Sequence, residues 1–209
     1  MTTAASNVIR AGAPIGAARA AVILVHGRGA TAESMLGLAD AFAAPDLAYL
    51  APQAPSGSWY PYSFMAPIAE NEPSLNAALG TLSHLVSDLD RQGVPPERIV
   101  LLGFSQGACL ALEFAARNAR RYGGVVGLSG GLIGPPHTPR TYAGSLANTP
   151  VFIGCSDVDS HIPLARVHES ADVLGKLGGD VTEKIYPGMG HTVIQDEIDH
   201  VKNILRDVG

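Results

Sequence analysis

The chain contains a serine between two glycines, in the sequence G-F-S-Q-G at positions 103–107. An apolar run at 99–102 precedes this serine, Ser105, and a helix-like run at 108–116 follows it. Strand, G-x-S-x-G and helix in this order are typical of a nucleophile elbow, a sharp turn that presents a serine hydroxyl at the edge of a sheet. Glycines suit the flanking positions because such a turn leaves no room for side chains. The pattern makes Ser105 the candidate nucleophile.

A second G-x-S-x-G motif occupies positions 127–131 and contains Ser129. It also follows apolar residues, but the segment after it, at 132–136, contains a glycine and two prolines. Glycine and proline at this density do not start a helix. We therefore predict that Ser129 ends a strand and opens into a loop, and that it is not the nucleophile.

A serine hydroxyl needs a base that takes its proton and an acid that orients this base. In folds that contain a nucleophile elbow, the expected chain order is serine, then acid, then histidine. His191 lies in a glycine-rich loop at 186–192, after the last predicted strand, and is the predicted base. Two carboxylates, Asp157 and Asp159, follow the preceding strand, and this order alone leaves both open as the acid.

Acyl transfer through a serine also requires N–H donors for the oxyanion of the tetrahedral intermediate. One predicted donor is the backbone N–H of Gln106, the residue after the nucleophile. The other is the backbone N–H of Arg28, in a glycine-containing segment after an early apolar strand. His26, in the same segment, is predicted to anchor this loop rather than to act as a second base.

Short apolar runs alternate with longer helical patterns along the chain. Seven runs are predicted to be strands: 8–10, 21–25, 48–50, 99–102, 125–128, 151–153 and 181–186. Five segments are predicted to be helices, the second of them capped by Asn71: 34–42, 73–91, 105–117, 164–177 and 193–208. Because most strands are continuous apolar runs, we expect a mostly parallel, doubly wound sheet with helices on both faces. We expect one α/β domain over residues 1–209, without a large cap.

The composition restricts the class of protein. Of the 209 residues, 46% are hydrophobic and 16% are charged, and the formal net charge is −5. Basic residues form no cluster longer than the pair Arg120 and Arg121, so nucleic-acid binding has no electrostatic support. No metal-ligand spacing and no phosphate-binding glycine motif is present, so neither a metal nor a cofactor is predicted. The two cysteines, Cys109 and Cys155, are expected to be buried free thiols.

The start of the chain gives an expectation about location. The first twelve residues contain one basic side chain, Arg10, and no long apolar segment, which predicts no targeting signal. The apolar run at 20–25 is too short to span a membrane. We therefore expect a cytoplasmic protein without stable membrane insertion. The sequence gives no indication of an oligomeric state.

With these motifs in place, the chain resembles the phospholipase/carboxylesterase family of α/β-hydrolases, which includes the acyl-protein thioesterases. The resemblance covers nearly the whole chain and rests on motifs that occur in the order of that family: V-H-G at 25–27, P-E-R-I at 96–99, the elbow at 103–107, D-S-H-I-P at 159–163 and G-M-G-H at 188–191. The acid of the family stands four residues before a proline, a position that Asp159 has and Asp157 does not. The resemblance therefore implies an α/β-hydrolase fold and a triad of Ser105, His191 and Asp159.

The resemblance also implies a serine hydrolase that cleaves small to medium carboxylic esters, or thioesters, through an acyl-enzyme intermediate. Its partner is then a small-molecule ester. Two other classes stay open: a catalytically quiet α/β-hydrolase that serves as a binding module, and a peptidase.

Two features depart from the thioesterases. The loop at 54–64 differs in length and carries Trp59, Tyr60 and Phe64. We predict that these aromatic residues line an acyl or alcohol pocket, the alternative being that they only pin the loop to the core. Arg28 replaces the apolar residue usual in thioesterases, and its side chain either meets an acidic substrate group or points to solvent.

Overall fold

The computed structural model describes residues 8–209. Its strands are β1 Val8–Gly12, β2 Ala20–Val25, β3 Leu47–Pro52, β4 Ile99–Phe104, β5 Gly124–Leu128, β6 Pro150–Ser156 and β7 Asp180–Tyr186. They form one sheet in the order β1-β3-β2-β4-β5-β6-β7. β1 pairs with β3 in antiparallel orientation, and the other neighbouring strands are parallel. Residues 1–7, to which the expectation about targeting also applies, lie outside the described part of the chain.

Residues 8–209 contain five α-helices, of which the last follows the final strand: α1 Ala32–Asp40, α2 Ser74–Arg91, α3 Gln106–Arg117, α4 Leu164–Lys176 and α5 Gln195–Asp207. Short 3₁₀ helices cover Pro55–Gly57, Ile68–Asn71 and Pro96–Arg98. Every predicted strand and helix is present with slightly shifted ends, and the predicted mostly parallel, doubly wound α/β fold is confirmed. Within residues 8–209, no helix has the length and hydropathy needed to cross a membrane.

The sheet has an apolar core on each face. Along β2, Ala21, Ile23 and Val25 belong to the core that includes residues of α2, α3 and α4, while Ala20, Val22 and Leu24 belong to the core that includes residues of α1 and α5. All six residues are fully buried, which explains why β2 has no polar alternation. Full burial of one such aliphatic side chain contributes about 1.5–3 kcal/mol. Both cysteines are buried free thiols, as predicted.

The prediction that Asn71 caps α2 is wrong. Pro73 is the residue before α2, and it makes no side-chain capping bond. The Asn71 amide is instead fully buried. Its Oδ1 accepts from the Tyr62 N–H (2.9 Å), and its Nδ2 donates to the Ser63 carbonyl (2.9 Å). The side chain therefore satisfies backbone groups of a preceding loop, a long-range demand that the local capping pattern does not contain.

The carboxyl ends of the parallel strands lie at one edge of the sheet, as parallel pairing requires. Ser105 follows the central strand β4, Asp159 follows β6 and His191 follows β7. The turn that contains Arg28 follows β2, which pairs directly with β4. The topology therefore directs all four predicted site segments to the same edge, where ligands bind in open α/β sheets.

Candidate active site

Ser105 forms the turn between β4 and α3 in a strained backbone conformation. Its φ is 55° and its ψ is −120°, a region that costs a non-glycine residue about 1–3 kcal/mol. The two flanking glycines make the turn possible. A Cβ on Gly103 would lie 2.2 Å from the Gly107 carbonyl oxygen, and a Cβ on Gly107 would lie 2.1 Å from the Val25 carbonyl oxygen. Neither position has room for any side chain.

A continuous chain of hydrogen bonds joins the predicted nucleophile, base and acid. His191 Nε2 lies 2.8 Å from Ser105 Oγ, and His191 Nδ1 lies 2.7 Å from Asp159 Oδ2. Because an ionised carboxylate only accepts hydrogen bonds, Nδ1 carries the imidazole proton and the Nε2 lone pair faces the serine hydroxyl. The Asp159 side chain is fully buried, and the His191 side chain is 18% exposed.

The environment of Asp159 keeps its carboxylate charged. Burial favours the neutral form, but hydrogen bonds from His191 and from two backbone N–H groups outweigh it, so the pKa of the Asp159 carboxyl is lowered. The two backbone donors are His161 (2.8 Å) and Ile162 (3.0 Å), and both bind Oδ1. Oδ2 is thereby left for the imidazole.

Asp157, the other carboxylate that the sequence offered, does not contact the imidazole. Its Oδ1 accepts a hydrogen bond from the backbone N–H of Gly188 at 2.8 Å. Gly188 lies in the loop that carries His191, so Asp157 ties that loop to the end of β6. Both carboxylates therefore position His191: Asp159 binds its ring, and Asp157 binds the backbone of its loop.

Two rings flank the imidazole of His191. The Phe104 ring lies 5.0 Å from it between centroids, at an interplanar angle of 41°. The His161 ring meets it edge-on at 4.8 Å. These contacts restrict rotation of the imidazole about its side-chain bonds, which preserves the alignment of both ring nitrogens.

Two backbone N–H groups are available next to Ser105. Gln106 is the first residue of α3, where an N–H has no partner within the helix. Arg28 lies in a turn closed by the bond from Ala30 N to Gly27 O (3.2 Å), and in the hydrogen bonds of residues 8–209 its N–H has no acceptor. A Cβ on Gly27 would lie 3.2 Å from the Ser105 Cβ. This turn therefore passes directly beside the serine.

The phospholipase/carboxylesterase family profile matches residues 7–208. The chain belongs to this family. It is 28% identical to acyl-protein thioesterase 1 of Saccharomyces cerevisiae, over 96% of this chain and 97% of that protein. It is 40% identical to acyl-protein thioesterase 1 of Gibberella zeae over 54% of this chain, a match that spans 49% of that relative's length.

A solved structure of a phospholipase/carboxylesterase from Dyadobacter fermentans is 43% identical to this chain, covers 99% of both chains and has a TM-score of 0.93. Membership of this family confirms the α/β-hydrolase fold that the motifs predicted. It also confirms the predicted class of enzyme, a hydrolase of the carboxylesterase type.

His26 has the contacts of an anchor in this hydrolase. Its ring is fully buried. Nδ1 donates to the Gly27 carbonyl (2.7 Å), and Nε2 accepts from the Ala54 N–H (3.0 Å). Burial lowers the pKa of the His26 imidazole although the bond to Gly27 opposes this shift, so the ring stays neutral and joins two loops.

The contacts of Trp59, Tyr60 and Phe64 favour the alternative interpretation, in which these rings pin their loop to the core. The three residues are only 3%, 1% and 7% exposed and belong to the core on the α2–α4 face. The Trp59 Nε1–H donates to the His26 carbonyl at 2.8 Å. Tyr62, from the same loop, is instead 56% exposed.

Ser129, in the second G-x-S-x-G motif, is fully buried. Its Oγ has no hydrogen-bond partner within the part of the chain that the structure describes. Its N–H donates to the Gly154 carbonyl at 2.7 Å, and the chain continues into irregular structure. The predicted end of a strand that opens into a loop is confirmed.

The sequence did not predict that Glu197, at the start of α5 and beside Gly154 of β6, is buried. Its Oε2 accepts from the Ile194 N–H at 3.0 Å, while its Oε1 has no partner in the described residues. Burial is the main cause that raises the pKa of the Glu197 carboxyl to about 7. An acidic residue in the first turn of a helix is ordinarily an exposed residue that interacts with the helix dipole, so the sequence contained no signal of this burial.

Proposed function

We propose that this protein is a serine carboxylesterase, with thioesters as a second substrate class, in which Ser105 is the nucleophile and His191 the general base. Asp159 orients His191 and stabilises its protonated form. The single observation that supports these roles best is the unbroken hydrogen-bond chain of 2.8 Å and 2.7 Å that links the three side chains. Its geometry is that of a serine, histidine and aspartate arranged for proton transfer.

In the acylation half of the proposed reaction, Ser105 Oγ attacks the carbonyl carbon of the ester while its proton moves to His191 Nε2. The carbonyl double bond opens to a tetrahedral oxyanion. When this intermediate collapses, His191 returns the proton to the leaving oxygen or sulfur, and an acyl-enzyme remains on Ser105. The charged Asp159 carboxylate stabilises the imidazolium that exists between these two transfers.

Deacylation repeats these steps with water as the nucleophile. His191 Nε2 takes a proton from the water as it attacks the acyl carbon, and then gives that proton to Ser105 Oγ as the carboxylic acid leaves. The proposed cycle uses only the side chains named here and one water molecule. It ends with the enzyme in its starting protonation state.

The oxyanion of both tetrahedral intermediates is proposed to accept hydrogen bonds from the backbone N–H groups of Arg28 and Gln106. The N-terminus of α3 adds a favourable dipole, because its positive end faces the developing charge. One donor of this kind contributes about 10²- to 10³-fold to turnover in a serine protease.

We propose acyl groups of small to medium size as substrates. The aromatic residues of the loop at 54–64 pack into the core, so they do not supply the walls of a long acyl groove. An ester series tests this directly: p-nitrophenyl acetate and butyrate are expected to be cleaved with a higher kcat/KM than the palmitate.

Covalent labelling tests the proposed roles. A fluorophosphonate probe is expected to modify Ser105, identified by mass spectrometry of the peptide, and to leave Ser105→Ala unlabelled. Wild-type protein is expected to hydrolyse p-nitrophenyl acetate, and Ser105→Ala is not. An unlabelled wild-type protein without turnover favours the binding module, and a labelled protein that cleaves peptides but not esters favours the peptidase.

A further inference from the structure

The guanidinium of Arg28 binds three consecutive backbone carbonyls of one loop segment, residues 58–62, which we call the strap. Nη1 donates to the Pro61 carbonyl (2.8 Å), and Nη2 donates to the carbonyls of Tyr60 (3.0 Å) and Tyr62 (2.6 Å). Arg28 is an exposed residue, yet its charged group is bound to the protein itself. Neither expectation for this side chain, an acidic substrate group or free solvent, describes these contacts.

The side chain of Gln106 binds the same strap. Its Nε2 donates to the Tyr60 carbonyl at 2.8 Å, and its Oε1 accepts from the Trp59 N–H at 3.0 Å. The Tyr60 carbonyl therefore accepts hydrogen bonds from the side chains of both Arg28 and Gln106. These are the two residues whose backbone N–H groups are the proposed oxyanion donors.

The strap is a firm support for these side chains. Trp59 and Tyr60 are buried in the core, and the Trp59 indole N–H is bonded to the His26 carbonyl. At the other end of the strap, the Tyr62 N–H donates to the buried Asn71 side chain at 2.9 Å. A group that binds the strap is thus held relative to the sheet.

The turn that carries the Arg28 N–H has much less support of its own. A glycine stands on each side of Arg28, and Gly29 has a φ of 75°, so the backbone can adopt many other conformations. Apart from the bond that closes this turn, its backbone is held by the hydrogen bonds from Gly29 N to Gly57 O at 2.8 Å and from His26 Nδ1 to Gly27 O at 2.7 Å. The Gly27 carbonyl and the Arg28 N–H belong to one peptide unit, so without the guanidinium contacts the orientation of this N–H depends on these three bonds.

We propose that the Arg28 side chain is a positioning group that holds the Arg28 backbone N–H toward the oxyanion by binding the carbonyls of the strap. This inference deepens the proposed function and rests on it. It assigns the arginine to stabilisation of the transition state for every ester, rather than to recognition of an acidic substrate. Removal of the Arg28 side chain is expected to lower kcat rather than to change KM, because the oxyanion exists only after attack on the ester.

The expected decrease in kcat can be estimated from the effect of losing or displacing an oxyanion donor. Loss of one oxyanion donor lowers turnover about 10²- to 10³-fold, and a misplacement of roughly 1 Å costs about 10²-fold. In Arg28→Met the donor is still present but less well oriented. We therefore expect kcat to fall about 10- to 100-fold, with KM for a neutral ester within about twofold of wild type.

Arg121→Met provides a matched control. Arg121 is also exposed, and its guanidinium also binds backbone carbonyls, those of Ala147 and Asn148. It lies before β5, at the opposite edge of the sheet from Ser105. This variant removes the same kind of clamp from a different loop, and its kcat and KM are expected to match wild type.

The experiment measures kcat and KM with p-nitrophenyl acetate and with an ester that carries a carboxylate, together with the rate of fluorophosphonate labelling of Ser105. The inference predicts that Arg28→Met lowers kcat and the labelling rate by similar factors, for both esters alike. Three results would overturn the inference. They are a decrease in kcat of less than fivefold, a change in KM alone, and a loss of activity only toward the ester that carries a carboxylate. If Ser105→Ala is inactive while Arg28→Met behaves as wild type, the positioning role alone fails and the proposed function stands.

Two further variants keep the test decisive if Arg28→Met does not fold. Arg28→Lys retains a donor that reaches one carbonyl of the strap, and Arg28→Gln retains a shorter neutral donor. The expected order of kcat is wild type, then Lys, then Gln, at constant KM. A kcat equal to wild type in both variants overturns the inference, because the forked contact to three carbonyls is then not required.

Discussion

Two turns of this molecule share one sequence motif and differ in what they do. Ser105 and Ser129 each stand between glycines in G-x-S-x-G, and their φ angles are 55° and 51°. They follow β4 and β5, which are adjacent parallel strands. The Ser105 hydroxyl meets the imidazole of His191 at 2.8 Å, whereas the Ser129 hydroxyl is buried with no partner in residues 8–209.

The glycines of the two motifs are required for different reasons. At Gly103 and Gly107 the nearest atoms to an added Cβ are backbone atoms, at 2.2 Å and 2.1 Å. At Gly127 and Gly131 they belong to side chains of Leu112 and Arg166, at 2.7 Å and 2.8 Å. The first motif therefore fixes a helix against a strand, and the second accommodates packed side chains. The motif identifies a strained turn, and the helix α3 and the contact with His191 distinguish the turn that carries the proposed nucleophile.

The largest expected difference between the two turns is in turnover. Ser105→Ala is expected to lower kcat for p-nitrophenyl acetate by about 10⁴-fold or more, because the nucleophile is lost. Ser129→Ala is expected to keep kcat within about twofold of wild type and to be as stable as wild type or more so, since it removes a buried hydroxyl without a partner. Comparable losses in both variants would contradict the distinction between the turns.

The next difference concerns the acid that serves the first turn. Asp159→Asn is expected to lower kcat by about 10⁴-fold, because an amide at this position favours the wrong tautomer of His191. Asp157→Asn is expected to lose less than about tenfold, since its amide oxygen still accepts from the Gly188 N–H. Kinetics of the two purified variants decide between them, and a greater loss in Asp157→Asn would reverse the assignment.

The glycines give a difference in stability. Gly107→Ala forces a Cβ against the Val25 backbone, which does not move without displacing β2, and we expect a loss of at least about 3 kcal/mol in the free energy of unfolding. Gly131→Ala meets the Cγ of the buried Arg166 side chain at 2.8 Å, and the Arg166 guanidinium is bonded to the carbonyls of Leu132 and Gly134. Because the contact is with a side chain and not with backbone, we expect a smaller loss, of about 1–3 kcal/mol. Urea denaturation at fixed pH measures both values. Equal losses would show that the two turns are packed alike.

The last prediction uses pH to test the region next to the second turn. The Gly154 carbonyl accepts the Ser129 N–H, and a Cβ on Gly154 would lie 2.3 Å from Glu197 Oε1. The folded carboxyl has a pKa of about 7 against an ordinary value of 4.5, so the folded state binds this proton more tightly than the unfolded state. Stability contributed by the protonated acid is therefore present below pH 4.5 and lost as the pH rises to about 7.

Glu197→Gln is the matching variant, because glutamine has the same shape and still accepts from the Ile194 N–H. The difference in the free energy of unfolding, variant minus wild type, is expected to increase by about 2–3 kcal/mol from pH 4 to pH 8. Denaturation curves at both pH values measure this gain. A difference between the two proteins that stays constant with pH would exclude Glu197 as the titrating group.

The fold could be predicted because its signals are local. The β2 run, apolar at every position, predicts a strand buried on both faces, and the stripe of Leu75, Leu79 and Leu82 predicts the buried face of α2. The order of Ser105, Asp159 and His191 along the chain, each after its own strand, placed them at one edge once the sheet was parallel.

The parts of the site that could not be predicted depend on contacts between distant segments. Asn71 had the position of a helix cap but bonds a loop nine residues earlier, at Tyr62. The Arg28 guanidinium finds its partners more than thirty residues away in the strap. Glu197 is buried because Gly154 leaves space beside β6. In each case the decisive partner is set by packing, which residue type and local spacing do not encode.

The position of β7 in the sheet has a consequence for how the enzyme responds to heat. β7 is one of the two edge strands and pairs only with β6, and its residues alternate between partly buried and exposed. The proposed proton acceptor is thus carried by the loop after an edge strand, while the proposed nucleophile follows the central strand β4. Edge elements open at lower free energy than a central strand. As the temperature rises, we therefore expect local opening of β7 to displace His191 and abolish hydrolysis while the rest of the sheet is still folded.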